Sequence, residues 1–108
     1  MKLINLTNNE ITLPNGDVIP PSGFVARANV HHSQVSSVNG IPLLKAQIAE
    51  INNIPTEVRP DIMYIVPTIV REFLSDRPDV ISPCKLIRNT QGKVFGCGAF
   101  EVNKCYVP

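Results

Sequence analysis

The chain predicts a single α+β domain of 108 residues, a mostly antiparallel β-sheet or partly open barrel carrying one short helix near residues 67–75. Three observations predict it. Asn39-Gly40 separates two apolar runs, and an Asn-Gly pair is the strongest short hairpin signal because both residues tolerate positive φ. The apolar run Ile62–Val66 leads into Pro67 and then into Ile69, Val70, Phe73 and Leu74 at helical spacing. Ten prolines, no tryptophan and 44% hydrophobic residues describe short elements joined by turns around one ordinary core.

In chain order, Lys2–Leu6 and Glu10–Leu13 alternate apolar and polar residues around Thr7-Asn8-Asn9, which predicts a hairpin. Pro14-Asn15-Gly16-Asp17 is a second turn, Val18-Ile19 a short extended piece, and Pro20-Pro21-Ser22-Gly23 a rigid corner. Phe24–Val30 reads as a strand with Phe24, Ala26, Ala28 and Val30 on one face and Val25, Arg27 and Asn29 on the other. Val35–Val38 and Ile41–Ile48 form the Asn-Gly hairpin, and Asn52–Pro60 is a polar connection. Ile62–Val66 is a buried strand, and Pro67 suits the first position of a helix of about two turns. Its apolar face is Ile69, Val70, Phe73 and Leu74, and its polar face Thr68, Arg71, Glu72 and Ser75. Asp76-Arg77-Pro78-Asp79 ends it, because a proline disfavours helix at the residue before it. Lys85–Asn89 and Lys93–Val102 are strands joined through Thr90-Gln91-Gly92, and Gly96 and Gly98 around Cys97 mark a bulge or a close backbone approach.

Ten Lys and Arg against nine Asp and Glu give a formal charge of +1, which argues against a long nucleic acid as partner, since that needs a basic face. A small charged ligand held by a few arginines remains compatible. No window approaches the roughly 20 apolar residues of a membrane span, and MKLINLTNNE is too polar for a signal peptide, so a cytoplasmic protein is expected. Cys84, Cys97 and Cys105 lack C-x-x-C spacing, which speaks against a disulfide framework or a thiolate metal site.

A strand feeding a helix N-terminus leaves backbone N–H groups free to meet an anion, with phosphate the obvious candidate. Arg27, Arg71, Arg77 and Arg88 are the arginines that could join it, since guanidinium forks bind phosphate bidentately. For Arg71 and Arg77, solvated positions or local pairing with Glu72, Asp76 or Asp79 are preferred. Arg27 and Arg88 sit inside strand patterns, where ligand contact and ordinary pairing stand equal. His31-His32 would point to opposite strand faces and share no metal; Cys97 has no neighbouring histidine and reads as a buried thiol; Asp61, Asp76 and Asp79 match no cation-binding spacing. No metal or cofactor is expected.

Segments spread along the chain carry a resemblance. Ile4-Asn5-Leu6-Thr7, Pro21-Ser22-Gly23-Phe24-Val25-Ala26-Arg27, Asn39-Gly40-Ile41-Pro42, Tyr64-Ile65-Val66, Arg77-Pro78-Asp79-Val80, Pro83, and Ile87-Arg88-Asn89 through Gly92, Gly96 and Cys97 resemble a family of small phage and bacterial proteins. That family is similar to the viral sponge proteins that sequester cyclic ADP-ribose signals made by TIR enzymes of the Thoeris defence system. The resemblance implies a ligand site of Arg27, Tyr64 and Arg88, then Asn5, Thr68 and Arg77, in a homo-oligomer with the ligand at a subunit interface. Pro67 stands where the pattern has Ser, and Asn89 where it has Asp, which puts ligand preference in question.

The expected function is therefore non-enzymatic: a sponge for a cyclic ADP-ribose isomer or related cyclic nucleotide, with arginines on the phosphates and Tyr64 or Phe24 stacked on a base. Two alternatives are a small phosphodiesterase-like or ADP-ribose-processing enzyme, for which no credible base or metal set is present, and an inhibitor that binds a host protein directly.

Overall fold

These patterns produce eight strands and one helix in the computed structural model, which describes residues 1–108. In chain order they are β1 (Lys2–Asn5), β2 (Ile11–Thr12), β3 (Val18–Ile19), β4 (Arg27–Val38), β5 (Ile41–Asn52), β6 (Ile62–Ile65), α1 (Thr68–Phe73), β7 (Val80–Arg88) and β8 (Val94–Val102). The class is α+β, as the sequence predicts. Six strands form one open sheet in the order β1-β6-β7-β8-β2-β3, and β4 and β5 form a separate two-stranded ribbon. The long ladders, β4–β5 and β7–β8, are antiparallel, and no barrel closes.

β6 runs through the middle of the core, and its period of two feeds both faces of the sheet. Tyr64 and Val66 pack with Leu6, Ala26, Val70 and Val80 beneath the helix and the base of the ribbon. Ile65 packs on the other face with Ile11, Ile81 and Cys97. Ile11 joins this cluster from β2, toward the other end of the strand order from β1. β2 meets β8 at Thr12 and Gly96, and a Cβ on Gly96 would overlap the Thr12 carbonyl. The glycine marks a close backbone approach, one of the two readings of the Gly96-Cys97-Gly98 pattern.

The hairpin expected between Lys2–Leu6 and Glu10–Leu13 does not form. β1 instead pairs in parallel with β6, from Lys2 opposite Ile62 to Asn5 opposite Ile65, which brings Ile4 and Leu6 onto the Tyr64 core. Asn5, 1% exposed, then turns the chain away. Its Oδ1 accepts from the Thr7 N–H at 2.9 Å and the Thr7 hydroxyl at 2.6 Å, while its Nδ2 donates to the Asn9 and Ile19 carbonyls. The strand expected from Phe24 begins only at Arg27, since the Ala26 N–H is already spent on the Leu6 carbonyl. The Asn39-Gly40 turn forms as read, with φ of 49° and 78°, and its strands run to twelve residues each.

The helix also departs from its sequence pattern. Val70 is fully buried and Leu74 half-buried, but Ile69 and Phe73 are exposed and Arg71 is buried. The helix packs on β7 and the start of β4, with Val70 and Leu74 on the apolar core and Arg71 turned toward polar acceptors on β7 and beyond β8. The Arg71 Nε donates to the Ser82 hydroxyl at 2.7 Å, one terminal nitrogen donates to Asn103 Oδ1 at 3.1 Å, and the other lies 3.5 Å from Glu101. Asn103 in turn donates to the Leu74 and Arg77 carbonyls and so satisfies the helix C-terminus. No helix is long and apolar enough to cross a membrane.

Candidate functional site

The polar connection after β5 and the corner before β4 converge on the outer end of the β1–β6 pair and leave a crevice of about 450 Å³ between them. Its size falls within the roughly 300–1,000 Å³ of small-molecule sites. Ile4, Leu6, Ile54 and Tyr64 give it apolar walls, and Ser22, Phe24, Asn53 and Pro55 complete the lining. Tyr64, 4% exposed, is anchored in the core, whereas the Phe24 ring is 66% exposed. An exposed phenyl ring beside an apolar wall is a platform for a flat heterocycle.

Local chemistry fixes both sides. The Ser22 hydroxyl accepts from the Phe24 N–H and donates to the Phe24 carbonyl, which pins the corner that carries the ring. Asn53 adopts φ 64°, where asparagine is tolerated, and donates through Nδ2 to the Val25 carbonyl at 3.0 Å. This bond ties the two sides of the crevice together at the base of the ribbon.

Arg77 braces the site from behind. Its Nε and one terminal nitrogen grip both carboxylate oxygens of Asp79 at 2.9 and 2.6 Å, the other terminal nitrogen donates to the Pro55 carbonyl at 2.6 Å, and its guanidinium carbon lies 5.9 Å from the centre of the Tyr64 ring. Its charge is spent on a carboxylate that is 4% exposed. Arg27, by contrast, is exposed and forms no ion pair; it starts β4 three residues after Phe24, opposite Asn52. Along the chain it lies three residues from Phe24, and Lys2, likewise without an ion pair, lies two residues from Ile4 in β1.

The other residues singled out by the sequence stand elsewhere. Arg88 donates to the Gly92 carbonyl at 3.0 Å in the β7–β8 turn, roughly 25 Å along β7 from Val80, the partner of Tyr64. Thr68 lines a second crevice of about 370 Å³, with Thr7, Asn8, Asn9 and Glu10 on one side and Leu86, Val94 and Phe95 on the other. Asn5 shapes that crevice through the Thr7–Asn9 loop. The second crevice lies next to the start of α1, yet it contains Glu10 and no Lys or Arg. Glu10 opposes an anion there, and the bordering cations Lys85, Arg88 and Lys93 stand beside Leu86 and Val94 outside the lining; the first crevice is the better site for its apolar wall and exposed Phe24 ring. The structure thus brings Phe24 and Tyr64 together with Arg77 against the Tyr64 ring, leaves Arg27 outside the lining at three residues along the chain from Phe24, and separates Thr68 and Arg88 from that group.

Sequence reasoning missed Asn53, Ile54 and Pro55, which enter the site from the connection after β5. The signal was present in Asn52-Asn53, a pair suited to ending a strand with positive φ. The groups that could do other chemistry are dispersed. His31 and His32 lie exposed on the ribbon, and no cluster of three or more His, Cys, Asp or Glu side chains gathers. Burial pushes the Cys97 thiol up from its ordinary range, a hydrogen bond from the Ala99 backbone pulls the other way, and Cys84 raises it further. A thiol held in its protonated form is a poor nucleophile at neutral pH. Comparison of the chain with protein-family models, with curated proteins and with solved structures finds no match.

Proposed function

We propose that this chain is a non-catalytic sponge that binds a small nucleotide signal of the cyclic ADP-ribose type, the ligand class its family resemblance implies, and so withholds it from bacterial anti-phage defence. One observation carries the reading: an apolar crevice with an exposed aromatic ring, Phe24, three residues along the chain from an exposed arginine that has no carboxylate partner. A nucleotide presents a flat base and an anionic phosphate, and these are the two features that such a site answers. The base stacks on Phe24 against the Ile54 and Tyr64 wall, and Arg27 takes the phosphate. Arg77 holds Tyr64 and the Pro55 connection in place and does not touch the ligand. Arg88, held to the Gly92 carbonyl in the β7–β8 turn, sits too far along β7 to serve the crevice of its own chain.

The test is recovery of intact ligand. The protein is incubated at stoichiometric ratio with cyclic ADP-ribose isomers and with cyclic oligonucleotides, separated from free ligand, denatured and examined by mass spectrometry. Release of an unchanged nucleotide of one of these classes is the expected result. A converted nucleotide would replace the sponge with an ADP-ribose-processing or phosphodiesterase-like enzyme. Retention of no nucleotide would leave the direct inhibitor of a host protein as the better account.

A further inference from the structure

The β4–β5 ribbon offers more surface than a monomer of this size should leave in water. Every residue from His31 to Gln47 is exposed, including Val35, Val38, Ile41, Leu43 and Leu44. Only the root of the ribbon, at Ala28 and Ile51, packs on the core. An isolated two-stranded ribbon is marginally stable in water, and its two open edges invite a further strand. Its edge defences are few for its length: Pro42, a bulge at Val35, and Lys45, the only Lys, Arg, Asp or Glu between His31 and Gln47.

Its aliphatic residues lie on both faces. Leu44 shares a face with Ala46 and the half-buried Ile48, while the neighbouring Leu43 and Ile41 take the opposite face. A strand pair coloured in this way is built to be covered on both sides.

The surface area says by how much. The chain exposes 7343 Å², whereas a folded monomer of 11.9 kDa exposes about 5,950 Å². The excess is roughly 1,400 Å², more than the approximately 800 Å² per partner that a stable interface of standard size covers. The radius of gyration agrees, at 16.2 Å against about 13 Å for a compact domain of this length.

We infer that the β4–β5 ribbon is the subunit contact of a two-fold assembly, in which it docks on a second copy of this chain. A second copy fits what the ribbon demands. It supplies the same uncharged aliphatic faces and the same open strand edges, it brings no like-charge repulsion, and a two-fold contact needs only one self-complementary patch. A strongly charged partner would find only Lys45 to pair with. The inference rests on the ribbon alone and holds whether or not the ligand is a nucleotide.

The test is made without any nucleotide. Light scattering on the full chain at micromolar concentration is expected to give at least twice 11.9 kDa, and the Ile41→Asp, Leu44→Asp double variant is expected to give the mass of one chain with the circular dichroism of a folded domain. Hydrogen exchange on the unmodified protein decides the matter if that variant fails to fold: amides of residues 31–47 become protected as concentration rises. A single-chain mass for the unmodified protein, an unchanged assembly in the folded variant, or ribbon amides that exchange equally fast at all concentrations would overturn the inference.

Discussion

Arg71→Ala is expected to lower the stability of the fold by about 3–5 kcal/mol, because truncating one member of a buried charged network leaves its partners unpaired. The partners are specific. The Ser82 hydroxyl is fully buried and Asn103 is 4% exposed, and each receives a hydrogen bond from the guanidinium. Asn103 also holds the Leu74 and Arg77 carbonyls, so its displacement reaches the end of the helix. The loss is a large part of the ~5–15 kcal/mol that holds a domain of this size together. It corresponds to a fall in Tm on the order of 15–25 °C. Arg71→Lys recovers little, since a single ammonium cannot reach Ser82 and Asn103 in the fork geometry that the guanidinium provides. Thermal unfolding followed by circular dichroism checks this; a change of only a few degrees for Arg71→Ala would show that the network is dispensable.

Arg77→Ala is expected to cost a comparable ~3–5 kcal/mol, for a different reason: it strands the Asp79 carboxylate in the interior. The pair buries 88% of the arginine side chain and 96% of the aspartate side chain, by exposures of 12% and 4%. Removing both partners together removes the unpaired charge as well, so Arg77→Ala with Asp79→Ala regains a substantial part of the loss. Urea midpoints of the two single variants and the double variant measure this directly. If the double variant loses the sum of the single losses, Arg77 and Asp79 act independently and the bracing role fails. The same result bears on function, because a binding defect in Arg77→Ala arises from a disordered crevice and not from a lost ligand contact.

The parts of the structure that were legible in the sequence are those set by neighbouring residues. Asn39-Gly40 fixes its own turn through backbone preferences, and Pro67 after an apolar strand marks the start of the helix. Strand pairing is decided by distant residues. Lys2–Asn5 alternates as a hairpin strand should, and nothing nearby reveals that Ile62–Ile65 is its partner across the chain. Arg71 shows the same limit for side chains: helical spacing places it on a polar face, and only the arrival of Ser82 and Asn103 from β7 and the chain after β8 turns that face inward. Within the candidate site, Tyr64 comes from the family resemblance, and Phe24 is offered with it as a ring that could stack on a base. Their meeting in one crevice, and the entry of Asn53 and Pro55 between them, depend on the connection after β5, whose polar composition carries no direction.

Calorimetric titration of cyclic ADP-ribose isomers into the unmodified protein, Phe24→Ala and Arg27→Ala decides whether the Phe24 crevice and Arg27 bind a nucleotide. Both side chains are exposed, so both variants should fold with stabilities within about 0.5 kcal/mol of the original. Saturable binding to the unmodified protein is expected, with a roughly tenfold to hundredfold weakening in Arg27→Ala through loss of about 1.5–3 kcal/mol of charge-assisted contact, and a loss of about tenfold or more in Phe24→Ala. Affinities for these isomers that are the same in all three folded proteins, or no heat of binding to the unmodified protein with any of them, would contradict it.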